Sequence, residues 1–170
     1  MGCIMKKIFA GLIYILSLAG AHGALPWDDV FQTIDDKTGR PKSVVQLYEY
    51  ADGDDMKLAG RIIALYGSDG QISETVANAT RVAENVTGAP KYVGLDIIWG
   101  MRWDDDEYSD GKIMDPQSGK VYSSVIWQDA PGTLNVRGKI GPFGRTQHWR
   151  ELDGATYRQN SKNWTPNIRK

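Results

Sequence analysis

Arginine, histidine and tryptophan converge in one stretch of this sequence, Leu134 to Arg150, and two kinds of chemistry follow from them. An arginine presents a rigid fork of donors that matches a carboxylate, which makes Arg137 the candidate contact for an acidic ligand. Histidine changes charge near neutrality, so His148 is a candidate base. A plainer role competes with that one. His148 has no second histidine and no cysteine with which to share zinc, and no Gly-x-Ser-x-Gly elbow offers it a nucleophile. Beside Trp149 it reads as packing. The run Asp104-Asp105-Asp106-Glu107, followed by Asp110-Gly111, invites calcium. A loop starting at Asp106, however, places Tyr108 and Gln117 where oxygen ligands and a closing glutamate belong. No catalytic residue, metal or cofactor is expected, and the acidic run reads as a solvated turn.

The elements that would position these residues are strands. Leu134, Val136 and Ile140 alternate with Asn135, Arg137 and Lys139, the period-two pattern of a strand with one buried face. Gly141-Pro142-Phe143-Gly144 then bends the chain before Arg145 to Trp149. The same reading gives strands at Val30 to Asp35, Ser43 to Tyr50, Lys57 to Tyr66, Tyr92 to Trp103, Lys112 to Met114 and Val121 to Gln128. In the third of these, Leu58, Gly60, Ile62 and Ala64 are expected on one face. Between 72 and 87 the period changes: Ile72, Val76, Ala79, Ala83 and Val86 recur at helical spacing, with Ser73 as N-cap and Gly88 and Pro90 as stop signals. One amphipathic helix is expected there, as a lid or a brace. Eight strands suit a closed antiparallel barrel that holds side chains or one small ligand. The polar tail beyond Leu152 is expected to be loosely ordered, apart from Trp164.

Lys6-Lys7, the apolar run after it and Ala21-His22-Gly23 have the form of a secretory signal peptide cut after Gly23, and the run is shorter than the roughly 20 residues a membrane span needs. Residues 24–170 are then one domain in the periplasm or outside the cell. Removing 1–23 takes away Lys6, Lys7 and Cys3, leaving 21 acidic against eighteen basic residues and a formal charge of −3. A cysteine-free exported domain depends on core burial rather than disulfides. Its charge gives no general attraction to nucleic acid.

Two segments carry a family resemblance. Asp110-Gly111-Lys112-Ile113, Asp115-Pro116, Gly119-Lys120 and Tyr122 fit the pattern D-G-K-I-x-D-P-x-x-G-K-x-Y, and Leu134 to Trp149 fit L-x-V-R-G-x-x-G followed by G-R-T-Q-x-W. The chain resembles a family of small exported bacterial proteins known as a domain of unknown function. The turn from Thr33 to Ser43 looks like that family's too. The resemblance implies an up-and-down barrel similar to the lipocalins and other calycins, in which an arginine near the end of the last strand lies over a first-strand aromatic. Trp27, Arg145, Trp149 and Arg150 are the candidates for that closure. Relatives carry Gly-x-Trp where this chain has Asp29-Val30-Phe31, and a cysteine pair where it has its expected helix.

Together these readings give an eight-stranded antiparallel up-and-down lipocalin-like barrel with one amphipathic helix. It is expected to be a non-enzymatic protein holding a small, largely apolar or fatty-acid-like ligand. Phe31, Tyr48, Ile62, Trp99, Trp103, Trp127 and Val136 are the expected cavity wall, and Arg137 the polar contact. The alternative is an envelope interaction module with a solid barrel, docking a protein partner through its outer face.

Overall fold

Alternating side chains build nine strands: β1 (Val30–Ile34), β2 (Pro41–Asp52), β3 (Asp55–Tyr66), β4 (Ile72–Thr75), β5 (Asp96–Asp104), β6 (Glu107–Asp115), β7 (Lys120–Ala130), β8 (Thr133–Ile140) and β9 (Phe143–Glu151). The structure, a computed structural model, describes residue 25 and residues 29–167. The signal-peptide reading and Trp27 lie outside the described residues. Eight of the strands pair antiparallel with their neighbours, and β1 closes on β9 through Phe31 opposite Glu151 and Gln32 opposite Arg150. The short β4 adds to β3 from outside the ring. No described helix is long and apolar enough to cross a membrane.

One end of the barrel, here the base, is packed. Phe31, Leu47, Leu58, Met101, Tyr108, Ile126 and Leu134 are buried in one cluster inside it. Removing such a side chain from water stabilises by about 1.5–3 kcal/mol each. Trp103 stands over this end with its ring edge-on to Tyr108, centroids 5.0 Å apart. Burial holds the Tyr108 hydroxyl above the usual phenol range, reinforced by the Glu49 carboxylate it faces. The other end, the mouth, is rimmed by two turns of one design. Asp35 accepts from the backbone N–H groups of Lys37 and Thr38, and Gly39, at φ 68°, donates back to the Asp35 carbonyl. Asp115 does the same for Gln117 and Gly119.

Three expectations need correction here. Residues 72–87 are not a helix: they form β4 and a run of turns, and the one helix among the described residues is α1 (Gly154–Tyr157), capped by Asp153. The Glu74 carboxylate takes the N–H groups of Thr80 and Arg81 together with both of their side chains, and Asn78 Oδ1 takes the Thr75 N–H. Those side-chain bonds satisfy the backbone without helical repeats. Ala64 belongs to the outer wall, because Val44 opposes Ala64 while Val45 opposes Ile62, leaving Ile63 as a bulge that reverses the faces beyond it. The described tail, residues 153–167, is ordered along the outside of β1 to β3. Arg158 pairs with Asp29, Gln46 exchanges bonds with Gln159, and Leu152, Tyr157 and Trp164 cover Val30, Val44, Ile63 and Ala64.

Candidate functional site

The mouth half of the barrel is hollow. A cavity of about 460 Å³ opens there, its wall formed by Thr33, Ile62, Ile97, Ile113, Tyr122, Val136, Gly138 and Trp149, with Lys37, Lys42 and Asp115 at the rim. Each wall residue sits on the inner side of its strand by the same alternation that buries the base, except Ile97, which a register shift between β3 and β5 turns inward beside Ile98. Near the border one rung carries small residues, where Gly111 opposes Ser124 and Ser124 opposes Gly138. A Cβ on Gly111 would lie 2.1 Å from Met101 Sδ, whereas one on Gly138 would meet nothing closer than 3.5 Å. Between them, the buried Ser124 hydroxyl has no hydrogen-bond partner among the described residues.

Polar groups climb one wall of this cavity in sequence. Trp149 Nε1 donates to Gln147 Oε1 at 3.2 Å, Gln147 Nε2 donates to Asp36 Oδ2 at 3.0 Å, and Arg145 Nη2 meets the same oxygen at 2.8 Å. Arg145, Gln147 and Trp149 stand two apart on β9, so one strand face carries the whole ladder from floor to mouth. The Arg145 side chain is 64% exposed. An exposed pair of this kind contributes about 0–1 kcal/mol, so a ligand carboxylate can replace Asp36 on the guanidinium at little cost. Asp35, at the same rim, is held below the usual carboxylate range by the Thr38 hydroxyl and the N–H groups of its turn.

The structure divides the expected site residues. Ile62, Val136 and Trp149 line the cavity, and Phe31 lies beneath it in the packed base. Arg137 does not reach the cavity. It is out of phase with Val136 and faces a depression on the outer wall with Val125, Trp127, Asp129 and Lys139. Trp127 donates to Asp129 there. Asp129 also accepts from Asn135, whose amide oxygen receives His148 Nδ1 at 2.7 Å, so His148 too belongs to the outer face. Trp99 and Trp103 do not share a face, because the left-handed backbone at Gly100 interrupts the alternation between them. Trp99 borders an outer pocket of about 370 Å³ beneath the 85–95 loop, and Trp103 caps the base.

Tyr48 is buried, but on the outer wall. Its hydroxyl donates to Asp96 Oδ1 at 2.8 Å, and its ring meets Trp164 edge-on. Burial and the neighbouring Asp96 charge hold that hydroxyl well above the phenol range. Arg61 lies 4.3 Å from the Trp164 ring centre and pairs with Asp96 at 2.7 Å. The stacking of arginine on aromatic expected at the barrel base is thus made by Arg61 with the tail. Arg145 instead stands at the mouth, and Arg150 is exposed on the opposite face of β9 from Trp149. The base needs no arginine because apolar side chains fill it.

Several cavity residues were not expected there: Asp36, Ile97, Ile113, Tyr122, Gly138 and Gln147 were not singled out, and Arg145 was expected to close the base. Stepping by two from Trp149 and from Val136 reaches Gln147, Arg145 and Gly138, so the signal for these three was present in the alternation.

The sequence profile of a family described as "Uncharacterized protein conserved in bacteria (DUF2147)" matches residues 30–151. Among solved structures, the chain is similar to protein HP1028 from Helicobacter pylori, described as belonging to the lipocalin family. The two are 16% identical, with a TM-score of 0.54 over 82% of this chain and 89% of that one. A comparison with curated proteins finds no match. The shared architecture is the lipocalin-like barrel.

Proposed function

The chain belongs to this DUF2147 family, and we propose that it is an exported, non-enzymatic binding protein that holds a small amphipathic molecule of the fatty-acid kind in the mouth half of its barrel. The observation that carries this reading is the contrast inside one barrel. Toward the base Phe31, Leu47, Leu58, Met101, Tyr108, Ile126 and Leu134 fill the interior, and from Val136 and Trp149 toward the mouth the side chains leave about 460 Å³. That volume falls within the roughly 300–1,000 Å³ of small-molecule sites. The apolar portion of the ligand lies against Ile62, Ile113, Val136 and Trp149, and its acidic head takes Arg145 in place of Asp36. Likeness to a protein described as a lipocalin supports a ligand-holding barrel, and the residues before Ala24 support export. The competing reading, a solid barrel that docks a protein, is weakened by the hollow mouth.

Native mass spectrometry of the purified chain with laurate tests the reading. One laurate per chain is expected, with binding lost in Gly138→Leu, whose side chain would fill the cavity from a position where a Cβ fits. Absence of laurate from the unaltered chain, or undiminished binding by Gly138→Leu, would overturn it.

A further inference from the structure

The hairpin between β8 and β9 ends at the mouth in two exposed apolar side chains. Ile140 and Phe143 oppose each other across the turn, 64% and 80% exposed. They continue two inner strand faces: Val136, Gly138 and Ile140 on one strand, and Trp149, Gln147, Arg145 and Phe143 on the other. The cavity lining therefore runs out onto the tip. Charge is divided along the same axis. Lys37, Arg40, Lys42, Lys120, Lys139 and Arg145 stand at the mouth turns and strand ends, against Asp35, Asp36 and Asp115. The 67–95 connection beside them is close to balanced. At the base, among the described residues, Asp52, Asp54, Asp55, Asp104, Asp105, Asp106, Glu107 and Glu151 outnumber Lys57, Arg102 and Arg150. A molecule polarised in this way turns its mouth toward a negative surface.

From this juxtaposition we propose that the Ile140–Phe143 tip docks the barrel mouth-first on an anionic phospholipid surface. The two side chains enter the interface while the surrounding lysines and arginines meet lipid phosphates. Neither half of the arrangement anchors the protein alone, since an isolated apolar pair binds marginally and basic residues act only within a Debye length. Together they give reversible docking. As a route by which an amphipathic molecule passes between bilayer and cavity, docking rests on the ligand reading above, but the docking itself is a property of the surface.

Flotation with two kinds of vesicle tests it: phosphatidylcholine alone, and phosphatidylcholine mixed in equal parts with phosphatidylglycerol. Binding to the mixed vesicles only, weakening as salt rises, is expected. The exposed double change Ile140→Ser with Phe143→Ser should reduce it at least about tenfold, while Trp103→Ser at the base leaves it unchanged. The proposal is overturned by lack of binding to the mixed vesicles, by binding that the double variant retains, or by a dimer of the unaltered chain that the double variant abolishes. Laurate binding measured on the same preparations separates the two readings: lost vesicle binding with intact laurate binding sinks only this one, and the reverse sinks only the ligand reading.

Discussion

The two halves of this barrel are made from the same eight strands with the same alternation, yet one is filled and the other is hollow. The difference lies in side-chain size and backbone approach rather than in topology. Toward the base the inner positions carry Phe31, Leu47, Leu58, Met101 and Leu134, and Gly111 is present because Met101 occupies the space a Cβ would need. Toward the mouth Thr33, Gly138, Gln147 and Arg145 take equivalent inner positions and do not meet across the barrel. The packed half supplies stability, and the hollow half is then free to carry polar groups.

The largest effect expected from breaking this contrast is in the base. Phe31→Ala should lower unfolding free energy by about 3–5 kcal/mol, read from urea midpoints. A second contrast lies along the border rung. Gly111→Ala should cost about 1–3 kcal/mol by overpacking, whereas Gly138→Ala should stay within about 0.5 kcal/mol of the unaltered chain. Equal losses at the two glycines would remove the border. At the mouth, Arg145→Gln should change stability by less than about 1 kcal/mol while weakening laurate binding about tenfold or more, since a charged hydrogen bond contributes about 1.5–3 kcal/mol.

The smallest effect is expected at the 72–90 connection. The Thr80 N–H, followed by the bonds from Arg81 and the Thr80 hydroxyl, lowers Glu74 from 4.5 to about 2. A carboxylate depressed by folding contributes stability that is complete above its unfolded value and lost as pH falls through its folded value. The contribution should therefore fade between pH 4.5 and about 2. Hydrogen exchange at the Thr80 and Arg81 amides should accelerate over that window, and in Glu74→Gln already at neutral pH.

Alternation, regularly spaced turns and the count of eight strands made the barrel readable from Val30 to Trp149. The same alternation also placed Arg137 opposite Val136, so the two were never compatible as neighbours in one cavity; following β9 instead would have led to Arg145. Other features were beyond the reach of periodicity. The bulge at Ile63 and the left-handed Gly100 exchange the faces of residues beyond them, which moved Ala64 outward and separated Trp99 from Trp103. The spacing of Ile72, Val76, Ala79, Ala83 and Val86 is helical, but Glu74 and Asn78 bond the backbone of their own loop more effectively than a helix of β-branched residues would. The tail's docking depends on a buried Arg61–Asp96 pair whose members are 35 residues apart, with Trp164 stacked above them. No local pattern reports such a contact.

A ligand in this barrel should lie against the mouth-half wall, from Val136 and Trp149 outward, and not within the packed base. Nuclear magnetic resonance of the chain titrated with laurate, following the tryptophan indole N–H and the isoleucine, leucine and valine methyl signals, tests this most directly. Shifts should be concentrated at Trp149, Ile62, Ile97, Ile113 and Val136, with Leu47, Leu58 and Ile126 nearly still. Shifts confined to Trp127 or Trp99 on the outer wall, with Trp149 unmoved, would contradict it.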